Sequence, residues 1–435
     1  MGITLKQFGV KRKVKCLENG IKLVVFEKPE APIHIRAIFA AGARFDPIGK
    51  EGRAHFLEHM LLAGTKRFPT KDKLANYIEK YGGEFGGSTS AEVLNLILEV
   101  PDPGDFEVCF EVMQEILLNS NFEGRVFETE RGSILNELSG KKSSPNSMLW
   151  ELYPYMFFQG LNMSRSILGT EESISSIKLE DLKSFYKRYI TSENLTLIVF
   201  GGVKFEEVLK MVEKFLLLNK VCKNEEAKET KETSSNSYRS NKRVFVEKFE
   251  NSSHTHILFG FRTEAQDPIE NIALQMISER LGSGRSSVFS KKLRYEKGLV
   301  YGQRTLNINY RDVGAFLFQS STLAAQLQEV MDIVCSEFSR VAKNGLTNEE
   351  VDFIKMKMTK SLRNNLQMSS DWVNIYSYWE RGVNAPFGIE NFVKTIELIT
   401  NKQIKDAAAK YFNNNNWYLG LCGDVDENSV KIKIP

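Results

Sequence analysis

Cysteine is scarce in this chain: Cys16, Cys109, Cys222, Cys335 and Cys422 are the only five in 435 residues. They are odd in number, widely spread and never arranged as C-x-x-C. This argues against a disulfide framework and against a cysteine-built zinc site, and it fits a reducing compartment. Long apolar runs are also missing. No stretch approaches membrane-spanning length, and the opening MGITLKQFGVKRK has no apolar signal core. Nor is charge of one sign in excess: the formal net charge is +3, too small to point to nucleic acid or an anionic membrane. The expectation is a cytoplasmic protein with neither nucleic acid nor membrane among its partners.

Hydrophobic residues make up 42% and charged residues 26%, the balance of a soluble globular protein. At 435 residues the chain exceeds one ordinary domain. Residues 223–242, KNEEAKETKETSSNSYRSNK, contain no Ile, Leu, Val, Phe, Met or Trp. Such a segment cannot supply a core and reads as a flexible linker. The expected organisation is an N-terminal domain over 1–221, a linker over 222–243 and a C-terminal domain over 244–435.

The two flanking halves resemble each other. VVFEKPEAPIHIRAIFAAG in the first matches VFVEKFENSSHTHILFGFR in the second, setting Glu27-Lys28 on Glu247-Lys248, His34 on His254 and Phe39 on Phe259. Asp46-Pro47 recurs as Asp267-Pro268, and KRYITSENLTLIVFGGV pairs with AKYFNNNNWYLGLCGDV. A two-copy repeat of this period is too long for a solenoid and reads as a duplication that gives two domains of one fold.

Strand and helix signals mix within each half. Residues 20–28 and 33–41 read as strands, and in 92–100 the alternation of Leu94, Leu96, Leu98 and Val100 marks a half-buried strand. Residues 70–81 read as a helix, with Thr70 as cap, Leu74, Tyr77, Ile78 and Tyr81 as stripe, and Gly82 as terminator. Two further helical faces are Phe106, Cys109, Phe110, Met113, Ile116, Leu117 and Phe205, Val208, Leu209, Val212, Phe215. The elements come in runs, so the expected class is α+β, each domain a mainly antiparallel mixed sheet packed with helices.

Histidine is as scarce as cysteine, five in all, yet residues 55–59 read HFLEH. On a helix, His55 and His59 share one face and can reach one ion, with Glu58 beside them as a base. This reversed order of H-E-x-x-H is a metallopeptidase signature. Taken alone it also fits two packed histidines beside a surface glutamate. Downstream, FETERGSILNEL places Glu130 and Glu137 seven apart on one helical face, which equally suits solvated glutamates. The second copy acts as an internal control: a shift of 221 carries His55, Glu58 and His59 onto Met276, Glu279 and Arg280, and Glu137 falls near Thr359 or Ser361. The ligands are absent there, which favours chemistry in the first half. His254 and His256 alternate and read as a strand surface.

With these residues in view, the sequence resembles the pitrilysin/insulinase-type zinc peptidases, the inverted-motif group that includes mitochondrial processing peptidase, in the short form of bacterial processing-peptidase-like zinc proteases. The likeness runs through FAAGARFDP, GRAHFLEHMLLAGTKRFP, YGGEF, ERGSILNEL and, in the second half, LGSGRSSVFSKKLRYEKGLVYG. It implies one zinc per chain held by His55, His59 and Glu137, with Glu58 as general base and Glu130 in support. It implies that Arg294 and Tyr301 hold the substrate backbone. The family's edge-strand Asn-Ala is replaced here by Gly86-Gly87, followed by Ser88 and Thr89, at the place where an extended peptide would add as a strand. The implied activity is zinc-dependent cleavage of peptides or unfolded segments, and the implied assembly is a clamshell homodimer. The alternative is a non-catalytic assembly subunit of the same fold, and a further one is a metal-dependent hydrolase of another substrate.

Overall fold

Alternating apolar residues become strands wherever one face meets a core. The structure, a computed structural model, describes residues 4–215, 242–264, 267–380 and 387–434. The first half forms strands β1 (Lys11–Cys16), β2 (Lys22–Glu27), β3 (Ile33–Phe39), β4 (Glu84–Thr89), β5 (Leu94–Val100) and β6 (Leu195–Gly201). They make one sheet in the order β1-β2-β6-β3-β5-β4. The second half forms β7 (Val244–Lys248), β8 (His254–Thr263), β9 (Gln303–Asn309), β10 (Gly314–Leu323) and β11 (Trp417–Gly423), in the order β7-β11-β8-β10-β9.

Apart from β1 the two orders are the same. The parallel pairing falls in the same place in both, β2 with β6 and β7 with β11, and the remaining pairs are antiparallel. The duplication read from the sequence is therefore a duplication of topology, and the class is α+β. The expected linker over 222–243 lies mostly outside the described residues.

The sheets correct the alignment of the copies. His34 pairs with Phe200 and Glu99, and the residue in the same place of the second sheet is His256, opposite Cys422 and Ser321. Phe39 likewise corresponds to Phe261, not Phe259. A shift of two residues keeps every side chain on its own face, so apolar alternation cannot detect it.

Helices of the first half include α1 (Arg53–Leu62), α2 (Lys71–Glu79), α3 (Phe106–Asn119), α4 (Gly124–Lys142) and α5 (Pro145–Phe157). Thr70 caps α2, accepting from the Lys73 N–H at 3.3 Å, and the α3 face is buried from Phe106 to Leu117 as its periodicity requires. The inner faces of β2, β3, β5 and β6 pack on α1 and α3 through Leu23, Ile35, Leu96 and Leu197 on the strands and Leu57 and Phe110 on the helices.

The outer faces are covered crosswise. Val24, Phe26, Ile198 and Phe200 of the first sheet pack against Trp372, Val373 and Tyr376 on the second-half helix Ser369–Glu380. Leu258, Leu317 and Tyr418 of the second sheet pack against Leu149, Tyr153 and Met156 on α5. Each half therefore lends one helix to the other. Among the described residues no helix is long and apolar enough to cross a membrane, and Cys16, Cys109, Cys335 and Cys422 are free thiols.

Candidate metal centre

Helix α1 begins where the buried Asp46 carboxylate accepts from the backbone N–H groups of Gly52 and Ala54, each at 3.0 Å. It thus satisfies two of the donors that a helix start leaves unpaired. Burial pushes the Asp46 carboxyl up to about 7, against the opposing pull of Arg53 and of those two N–H groups. The recurrence of Asp-Pro in the second half has the same use: Asp267 caps the helix Pro268–Gly282, accepting from the Ile269 N–H at 2.8 Å.

One turn into α1, His55 and His59 meet with ring centroids 4.7 Å apart. Glu137, on α4, brings Oε2 to 3.8 Å from His55 Nε2 and 3.9 Å from His59 Nε2. One ligand atom from each of the three side chains lies within 4.8 Å of the other two. The spacings exceed hydrogen-bond reach and leave room for an ion bonded at about 2 Å to nitrogen and oxygen. Burial pushes the His55 imidazole down to about 3, helped by His59 and Lys141, so it is neutral and keeps a lone pair for a metal. His59 Nδ1 donates to Glu130 Oε2 at 2.9 Å, which turns its Nε2 lone pair toward Glu137. Two imidazoles and a carboxylate are a donor set of catalytic zinc sites, and these residues fit the ion.

Glu58 is buried next to this cluster. Its Oε2 accepts from the Thr89 hydroxyl at 2.6 Å, and burial raises its pKa above the ordinary carboxylate range. Thr89 ends β4, which is the edge strand of the first sheet. A Cβ on Gly87 would stand 2.7 Å from Glu58 Cγ, so the glycine lets the carboxylate lie against the strand. Gly86 faces open space, and Ser88 accepts from Asn95 Nδ2 at 3.1 Å.

Arg294 and Tyr301 come together elsewhere. Arg294 lies on the π-helical turn Ser290–Tyr295, its guanidinium 4.9 Å from the centroid of the exposed Tyr301 ring. Among the described residues, no hydrogen bond or ion pair joins either to His55, Glu58, His59, Glu130 or Glu137.

The second half shows what replaces the cluster. Arg280 Nε pairs with Glu350 Oε1 at 3.0 Å, in the place of His59 and Glu130. Glu350 follows Glu130 by 220, so Glu137 corresponds to Lys357, not to Thr359 or Ser361. Lys357 Nζ donates to Glu279 Oε2 at 2.9 Å and to the Ser283 carbonyl at 2.8 Å. An ammonium group on a ligand position supplies the positive charge there itself.

Three sequence readings need addition. Thr89 is the partner of Glu58, Asp46 is the cap of the ligand helix, and Arg44, close by, ties the halves together. Thr89 and Arg44 carry no spacing signal, because each acts on a residue that only folding brings near, whereas Asp46 acts six and eight residues along and its signal is the recurring Asp-Pro pair.

Known proteins similar to this chain belong to one family. Residues 24–171 match the family described as Insulinase (Peptidase family M16), and residues 176–358 match the one described as Peptidase M16 inactive domain. The chain is 25% identical over 398 residues to an uncharacterized zinc protease of Mycobacterium leprae, spanning 91% of this chain and 88% of that one. It is 27% identical over 380 residues to an uncharacterized zinc protease of Rickettsia bellii, spanning 86% and 88%. Among solved structures it shares its fold with a protease from Helicobacter pylori (TM-score 0.83, 21% identity, 95% of this chain and 99% of that one). It also shares it with a peptidase M16 inactive domain from Pseudomonas fluorescens (TM-score 0.81, 19% identity, 98% and 99%).

Proposed function

The chain belongs to the insulinase family of M16 peptidases, and from that premise we propose that it is a zinc-dependent endopeptidase acting on peptides or unfolded segments. The observation that carries the reading is the convergence of His55, His59 and Glu137 with the buried, hydroxyl-bonded Glu58 beside them. His55, His59 and Glu137 would hold one zinc per chain. When bound, it supplies Lewis acidity to the scissile carbonyl and to the attacking water.

Glu58 takes the proton of that water and returns it to the leaving amine. Thr89 holds one oxygen of Glu58 in place, and Glu130 orients His59. A substrate adds as a strand to the open edge of β4 along Gly86, Gly87 and Ser88, so it must arrive extended. Arg294 and Tyr301 hold its backbone, as the family resemblance implies. The same resemblance supports a clamshell pair of chains, and the free thiols support a cytoplasmic setting.

Glu58→Gln tests the reading. It keeps shape and the Thr89 contact but removes the base. The expected result is a full complement of zinc with peptide turnover reduced by roughly a hundredfold or more. Turnover at the wild-type rate would remove Glu58 from the chemistry.

A further inference from the structure

The β4–β5 and β9–β10 turns are equivalent in the duplicated fold. Ser90 N–H donates to Val93 O at 2.8 Å in one, and Tyr310 N–H donates to Val313 O at 2.8 Å in the other. The two turns meet at the junction of the halves, and each brings a carboxylate, Glu92 or Asp312. Arg44 serves both. Its Nη1 donates to Glu92 Oε1 at 2.8 Å, and its Nη2 donates to Asp312 Oδ2 at 2.7 Å. Glu92 Oε1 also accepts from the backbone N–H of Arg311 at 3.1 Å. The side chains of Arg44 and Glu92 are 10% and 4% exposed and that of Asp312 is 25% exposed, so the Arg44–Glu92 pair is largely desolvated and each of the two depends on the other, while Asp312 closes the network from its more open side.

The position of Arg44 gives the network its consequence. Its own N–H donates to the Ala91 carbonyl at 2.8 Å, binding it to the turn that follows Thr89, the residue that holds Glu58. Two residues further on, Asp46 caps α1, the helix that carries His55, Glu58 and His59. The guanidinium of Arg165 fastens the segment from a third side, donating to the carbonyls of Arg44 and Asp46. One short stretch therefore connects a turn of the second half to both supports of the base: the start of its helix and the hydroxyl on its strand.

We infer that Arg44, bridging Glu92 and Asp312, is a positioning residue through which the second half sets the alignment of Glu58 with the metal-ligand cluster. The inference rests on the peptidase reading for its effect on turnover. It makes the second half, which lacks the ligands, necessary for the chemistry of the first by a route separate from substrate contact.

Asp312→Asn tests it, with Asp312→Glu as the charge-keeping control, in the full-length zinc-loaded protein. The Asn variant is expected to lose roughly ten- to a hundredfold in kcat with KM within about twofold, as misplacement of a remote support does. Amide hydrogen exchange should accelerate over residues 52–59 and 86–93, and the Glu variant should restore most of both. Wild-type kcat in Asp312→Asn, or a loss confined to KM, would overturn the inference. So would a kcat loss without faster exchange, or one that Asp312→Glu does not recover. If the wild-type protein cleaves no peptide, the peptidase reading fails, and the exchange comparison still decides whether Asp312 controls these segments.

Discussion

Glu58 and Gly87 occupy adjoining space, with the carboxylate side chain lying where any larger residue on the strand would put its Cβ. Gly87→Ala should therefore push Glu58 away from the metal cluster and lower kcat by roughly ten- to a hundredfold, with zinc content unchanged. Gly86→Ala, which meets nothing within 4 Å, should cost less. Steady-state kinetics with metal analysis of both variants checks this, and equal losses would refute it. At this scale the ligands were legible because their signal is local or repeated: HFLEH, the Glu130/Glu137 spacing and a duplicate lacking both histidines. The Thr89–Glu58 contact was not, because it spans 31 positions and joins a strand to a helix. The residue that stands in place of Glu137 is Lys357, two to four residues before the positions that the repeat spacing indicates, since only the Arg280–Glu350 pair sets the register of the helix Asn348–Ser361.

Helix α1 is an element whose start is held by one buried carboxylate, and that carboxylate couples stability to pH. The folded state raises Asp46 from 3.8 to about 7, so it holds this proton more tightly than the unfolded chain does. The contribution is fully present below the ordinary carboxylate pKa and is lost as pH rises through about 7. Stability measured by thermal unfolding should show this decline between about pH 4 and pH 7 in the wild type and not in Asp46→Asn. The same slope in both proteins would contradict the assignment. Most elements were readable from period and caps, as α2 with Thr70 and β5 with its alternating leucines show. What alternation conceals is a shift by an even number of residues, which is why His34 was matched with His254 instead of His256.

The molecule as a whole is two copies of one sheet topology, each sheet covered on its outer face by a helix of the other copy. Leu149 and Met156 each contribute about 1.5–3 kcal/mol by leaving water, and Tyr153, Trp372 and Tyr376 are buried in the same two contacts, so the halves are held by apolar contact as well as by Arg44. The duplication was visible in matched segments. The exchange of helices was not, because an amphipathic face records that a helix is buried and not against which sheet. Within this frame the first copy carries the metal ligands and the second carries a lysine where the third ligand would be. The proposed chemistry therefore needs one metal ion per chain. Its most direct test is a zinc titration of metal-stripped protein, following cleavage of a mixed unstructured peptide pool with products identified by mass. Cleavage should be absent without zinc, rise in proportion to zinc and level off at one equivalent per chain. Cleavage by the metal-free protein, or none by the zinc-loaded one, would contradict the account.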